Sequence, residues 1–242
     1  MNVRVRAVVR KELREFSRNK FVVITMAVLP LVFVALPLAG VLAIKPATDS
    51  ATVTSVVGSA LLAFFLMPLI LPTVIAGYAV VGEREQGTLE PVLTTPVRRE
   101  ELLIGKALAA TLPTATMAYA LFALFVIVVR LFAVGEVVSL VLQPAIVVAI
   151  ALFAPLLAAF SIWVGLAISA RSSDIRVAQQ LAALAMLPMV GVVWLFAFRV
   201  VTPTLTVAVA GALLLAFLDL GAWRIVSSFF DRERLLTRYG GP

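Results

Sequence analysis

The chain has 242 residues, 62% of them hydrophobic and only 14% charged, with a formal charge of +7. A soluble domain carries about 25% charge, so the composition excludes an ordinary soluble fold. With no cysteine and no histidine, the chain also lacks disulfides, thiolate metal sites, cysteine nucleophiles and the commonest general base and metal ligand.

The apolar excess lies in long uncharged runs. A helix needs about 20 apolar residues to cross the hydrocarbon, because its backbone polar groups must be satisfied within the segment. The expected fold is therefore all-α and polytopic, with six transmembrane helices behind an N-terminal interfacial amphipathic helix. In residues 3–18, Val5, Val8, Val9, Leu13 and Phe16 share one helical face, and Arg4, Arg6, Arg10, Lys11, Arg14 and Arg18 take the other. That segregation fits a helix lying in the membrane interface with Arg10, Lys11 and Arg14 towards anionic headgroups. Glu12 breaks the pattern by pointing into the apolar stripe, so it either snorkels or meets a basic partner from the cytoplasmic loops. The basic start runs to Lys20 and leads into an apolar run long enough to span, which argues against a cleaved signal peptide.

Six spans follow, at 21–44, 55–82, 107–130, 144–170, 177–198 and 204–223, with a tail at 224–242. Proline recurs inside them, and the pair Pro68 and Pro72, one turn apart, predicts a kink in the second. Arg199 and Pro203 read as a tight hairpin between the last two. Seventeen of the 20 Lys and Arg residues fall before the first span, in 83–106, in 171–176 and in the tail. The bias places those segments, and both termini, in the cytoplasm of a multi-pass cell-membrane protein. The positive charge is thus assigned to the membrane surface, with no nucleic acid as partner.

The connection 83–106 is far longer than a hairpin needs and is densely charged. Gly87 can end the helix emerging from the membrane, and Thr88 can cap a short helix through Leu93, with Glu90 near its positive end. Thr95 and Pro96 then read as the N-cap and first residue of the helix leading through Lys106 into the third span. The result is a short cytoplasmic helix lying along the membrane, whose Leu89, Val92 and Leu93 must bury against something.

This segment resembles the corresponding region of ABC-2 type permeases, the membrane subunits of ATP-driven exporters. The likeness is carried by the Glu/Arg-rich stretch from Glu83, then Gly87-Thr88-Leu89-Glu90, a small-residue pair, Pro96, basic Arg98 and Arg99, and Gly105-Lys106. Lys11-Glu12-Leu13 is similar to the family's elbow helix. The resemblance implies that 83–106 holds the coupling helix, which docks on a separate ATPase chain through Glu83, Arg84, Glu85, Gly87, Thr88, Leu89, Glu90, Val92, Leu93, Arg98 and Arg99. It also implies export, a second permease copy or homologue, and no cofactor on this chain, with ATP and magnesium held by the ATPase. Many relatives carry re-entrant helices between the last two spans; 199–204 is short for them, so either the sixth span begins later than 204 or the outer gate is simpler here.

The chain has no ATP site of its own. The only Gly-Lys pair is followed by Ala107, and Glu100 stands where a P-loop needs glycine. An intramembrane enzyme is disfavoured, since Glu100-Glu101 lacks the downstream arginine and histidines of membrane endopeptidases. The remaining alternative is a secondary transporter or channel without an ATPase. Such a protein places ionisable groups deep in the bilayer, and Asp219 is the sole candidate, read here as an interfacial anchor beside Trp223 and Arg224. Gln143, Gln179 and Gln180 read as polar helix–helix contacts. Thr111, Thr114, Thr116 and Tyr119 form a modest polar series in the third span, suited to an amphipathic or lipid-like cargo.

Overall fold

The computed structural model describes residues 3–77, 81–82 and 98–229. Among them the regular structure is helical, with no strand: α1 (Val3–Arg18), α2 (Lys20–Leu42), α3 (Ser50–Gly77), α4 (Arg99–Phe132), α5 (Gly135–Val141), α6 (Pro144–Ser169), α7 (Ile175–Ala185), α8 (Leu187–Ala197) and α9 (Leu205–Phe229). The breaks are written in the local sequence. Asn19 separates α1 from α2 and accepts hydrogen bonds from the Phe21 and Val22 amides at 3.0 and 3.3 Å. Asp49 accepts from the Thr52 amide at 2.8 Å ahead of α3, and Asp174 accepts from the Arg176 amide at 2.7 Å to cap α7. Each side chain satisfies an amide that the first helical turn leaves open.

Five helices, α2, α3, α4, α6 and α9, are each long and apolar enough to cross a membrane, and α7 with α8, bent by 40°, is long and apolar enough together to count as a sixth. That bend lies at Met186, just before Pro188. The second span runs as one helix through Pro68 and Pro72. Short α5 stands between the third and fourth spans, burying Val137 and Val141. The hairpin between α8 and α9 turns at Arg199, whose φ of 59° is left-handed.

The start of α4 differs from the expected one. Arg98, not Thr95, is its N-cap, and the helix opens at Arg99 instead of Pro96. Glu101, in the first turn, accepts from the Arg98 amide at 2.9 Å, which satisfies the amide at the helix start. At 34 residues, α4 is roughly 50 Å long, well beyond the ~30 Å hydrocarbon. The expected coupling helix at 88–94 lies outside the described residues.

α6 is the central helix, packed against α9, α3, α4 and α7. Glycines permit the closest approaches: a Cβ at Gly165 would collide with the Ala76 Cβ of α3, and one at Gly211 would lie 2.9 Å from Cζ of Phe153. Phe64 and Phe65 of α3 interlock with Phe122 and Phe125 of α4, Phe153 of α6 and Phe196 of α8, at centroid distances of 4.9–5.8 Å. Polar bonds cross between spans as well. Ser161 donates to the Leu69 carbonyl at 2.6 Å, between the two prolines of α3, and Gln179 donates to the Val74 carbonyl at 3.2 Å. Neighbouring helices thus supply donors along a proline-bearing span, as membrane packing requires. At the other end, Arg199 donates to Gln143 at 2.8 Å and Gln143 to the Pro203 carbonyl at 3.1 Å, tying α6 to the α8–α9 hairpin.

Phe16 of α1 and Ala222, Trp223 and Val226 of α9 join one apolar cluster. The N-terminal helix and the end of α9 therefore share one end of the bundle, as an even number of crossings demands.

Candidate functional site: the strut between the N-terminal helix and the third span

The stripe on α1 is covered by protein. Val5, Val8, Val9 and Glu12 are its buried residues, and Val5 and Val9 pack with Ala109 of α4. Leu13, assigned to this face from sequence, is 38% exposed, and the place beside the valines goes to Glu12. Val8 sits so close to α4 that a Cβ at Gly105 would lie 2.5 Å from its Cγ1 and 2.7 Å from its Cβ. Gly105 is thus the notch into which α1 settles.

One residue on, the Lys106 Nζ meets the Glu12 carboxylate at 2.9 Å, with side-chain exposures of 2% and 3%. Lys11 reaches the same carboxylate at 3.3 Å and Glu15 at 3.1 Å from a more exposed position. Burial alone would push the Glu12 carboxyl up; the charges and hydrogen bonds of Lys106 and Lys11 outweigh it and hold the group below the usual carboxylate value. Glu12 therefore stays ionised against Lys106. Arg4 adds an outer contact to Glu101 at 3.6 Å, and with Arg4 half exposed it contributes little. The tight arrangement is Gly105 against Val8 and Lys106 against Glu12, two successive residues of α4 gripping one face of α1. Of the two readings open for Glu12, the structure selects the basic partner, and supplies it from the base of the third span.

Residues 6–223 match the sequence profile described as ABC-2 family transporter protein. The chain belongs to the ABC-2 family. It is also similar to two proteins named probable ABC transporter permease protein NosY. The one from Pseudomonas aeruginosa is 37% identical over 101 residues, 42% of this chain and 36% of the relative. The one from Stutzerimonas stutzeri is 34% identical over 99 residues, 41% of this chain and 36% of the relative. Each match spans little more than a third of the relative's length.

Within this ABC-2 chain, the strut sits just after the segment that the family resemblance singles out. Of the docking residues expected from sequence, Glu83, Arg84, Glu85, Gly87, Thr88, Leu89, Glu90, Val92 and Leu93 lie outside the described residues. Arg98 is exposed at the helix start and Arg99 opens α4. On α1, Arg10 and Arg14 are exposed, Lys11 is intermediate and Glu12 is buried.

The four polar residues of the third span are not brought to one face. Thr114 is fully buried and donates to the Ala110 carbonyl, whereas exposed Thr116 donates to Leu112. Tyr119, 40% exposed, donates to the Ala151 carbonyl of α6 at 2.6 Å, and the Thr111 hydroxyl is buried without a partner among the described residues.

Asp219 corrects the reading from sequence. It is no interfacial anchor: it is 9% exposed, and both its carboxylate oxygens are buried. Its neighbours in sequence, Trp223 and Arg224, suggested a headgroup position, but the helical register turns Asp219 onto the packed side of α9 and leaves Arg224 exposed.

Sequence reasoning missed Gly105 as a notch and Ser161 as a donor to α3. Glu12 on an apolar stripe was the visible signal for the strut; Ser161 carried none, being one small residue in a long apolar run.

Proposed function

We propose that this chain is the permease subunit of an ABC-2 transporter, carrying a substrate across the cytoplasmic membrane, by export, with ATP hydrolysed on a separate ATPase chain. The observation that carries the reading is the family match over residues 6–223. The strut supports it. Segment 83–106, which resembles the family's docking region, runs into the base of α4, where Glu12 and Lys106 fix α1 to the span. A push on that segment reaches a long helix already braced against a second one, the mechanical requirement for passing ATPase motion into the membrane. Glu83, Arg84, Glu85, Glu90, Arg98 and Arg99 set the register of docking by charge, and Leu89, Val92 and Leu93 bury in the ATPase.

In the same reading the permease pairs with a second copy or a homologue, both termini face the cytoplasm, and α1 lies against lipid headgroups with Arg10 and Arg14. ATP and magnesium are bound by the ATPase. An amphipathic or lipid-like cargo suits spans with so few ionisable groups, and Thr111, Thr114, Thr116 and Tyr119 are the residues to test for contact with it.

Co-purification with the ATPase chain tests the assignment, repeated with Glu85 and Glu90 both changed to lysine. The expected result is a stable complex with the native chain and its loss in the double variant. Full ATPase binding together with full ATP-driven transport in the double variant would overturn the docking assignment. Stimulation of ATPase activity by amphipathic compounds tests the cargo class, and a response to small ions alone would sink it.

A further inference from the structure

Asp219 lies on the buried stripe of α9 formed by Ala208, Ala212, Leu215 and Val226, the side that packs on α6. Both its carboxylate oxygens are enclosed and lack a hydrogen-bond partner among the described residues, as does the indole nitrogen of Trp223 one turn further on. An ionised carboxylate withdrawn from water with neither donor nor cation beside it is the least favourable state for such a group. The same carboxyl with its proton is neutral and belongs in apolar surroundings.

Among the described residues no hydrogen bond or ion pair reaches it from α6, from α4, or from α1, whose Phe16 shares the apolar cluster of Trp223 and Val226. α6 contains no ionisable residue. On α4, Lys106 faces Glu12 and the Tyr119 hydroxyl is bonded to Ala151. Arg99, Glu100 and Glu101 lie in the first turn of that helix, and Arg130 lies in its last. On α9 itself, Arg224 points to the exposed side. A divalent metal would need several oxygen ligands, and among the described residues no group of three or more acidic, histidine or cysteine side chains converges. A proton needs one carboxylate.

We propose that Asp219 is a proton-binding site inside the membrane, holding its proton while α9 is packed on α6 and releasing it to water when that interface opens. The step balances simply. The O–H bond of the carboxylic acid breaks, the proton passes to a water molecule admitted between the helices, and the carboxylate recovers it on closure. Trp223 supplies an N–H donor one turn away for the anion formed in the open state. Opening of the α6–α9 contact is then linked to pH, being easier at low proton concentration, and the linkage does not depend on what the chain transports.

Infrared spectroscopy of the full chain in lipid nanodiscs tests this at about pH 6, where an exposed aspartate, with a pKa of about 3.9, is ionised. The expected result is a protonated-carboxyl stretch in the native chain that is missing from Asp219→Asn. A hydrophobic carbodiimide, which modifies protonated carboxyls in apolar surroundings, should also label Asp219 of the native chain, less so as pH rises. That second measurement needs no variant, so it decides the matter even if Asp219→Asn fails to fold. Absence of carbodiimide label on Asp219 at about pH 6 would overturn the proposal, as would a native spectrum indistinguishable from that of folded Asp219→Asn.

Discussion

Replacing Lys106 by methionine keeps the length of the side chain and removes its charge. Glu12, 2% exposed as a residue, then loses its 2.9 Å partner and keeps only Lys11 at 3.3 Å, which is one-third exposed. Breaking a buried ion pair from one side costs about 3–5 kcal/mol, because the surviving charge is left enclosed. With Lys11 still in reach, the lower bound applies, about 3 kcal/mol, or roughly a hundredfold in the folding equilibrium. The double variant Glu12→Leu, Lys106→Met removes both charges and leaves apolar groups against the Val5–Val9–Ala109 cluster. Such replacements are close to neutral, so the double variant should fall within about 1 kcal/mol of the native chain. Denaturant titration of the four proteins of this cycle, in one lipid–detergent mixture, measures the coupling. If Lys106→Met costs less than about 1 kcal/mol, or if the two single losses simply add in the double variant, the strut is not the buried pair described here.

The remaining predictions concern its surroundings. Gly105→Ala places a Cβ 2.5 Å from Val8 Cγ1 and should destabilise by about 1–3 kcal/mol through overpacking, partly reversed by Val8→Ala; the same titration reads both. Ser161→Ala leaves the Leu69 carbonyl without its 2.6 Å donor, and interhelical bonds of this kind average about 0.6 kcal/mol and reach about 1.7. A loss near 1 kcal/mol is expected, and none would mean that the α3 turn between Pro68 and Pro72 needs no help. The Glu12 carboxyl is held below its ordinary value, so its contribution to stability is complete above the unfolded value of about 4.3 and is lost as pH falls through the lower folded value. A melting series below about pH 4.5 should show that loss in the native chain and not in the Glu12→Leu, Lys106→Met variant.

The span count was legible because run length and the 17:3 division of basic residues are properties of the sequence alone. The break in the fifth span was not, since Met186 and Pro188 sit in an uncharged run whose length is the same straight or bent. Nor was the start of α4. Thr95 and Pro96 are good capping residues, yet Arg98 takes the cap because Glu101 is placed to bind its amide. Glu12 announced itself as an anomaly on an apolar stripe, but naming its partner required knowing which helix covers that stripe. Asp219 was misread for a related reason: proximity in sequence to Trp223 and Arg224 says nothing about which side of α9 faces inward.

The strut also sets a ratio of distances. α1 grips α4 at Gly105 and Lys106, roughly 10 Å from the Arg98 end and roughly 40 Å from Phe132. If α4 turns about that grip as a rigid body, a movement of ~1 Å at Arg98 becomes a sweep of ~4 Å at the far tip. The helix is then an off-centre lever with its fulcrum near the driven end. A fulcrum must not slide, and a glycine notch with a buried ion pair one residue away resists both translation and rotation of α1 along α4.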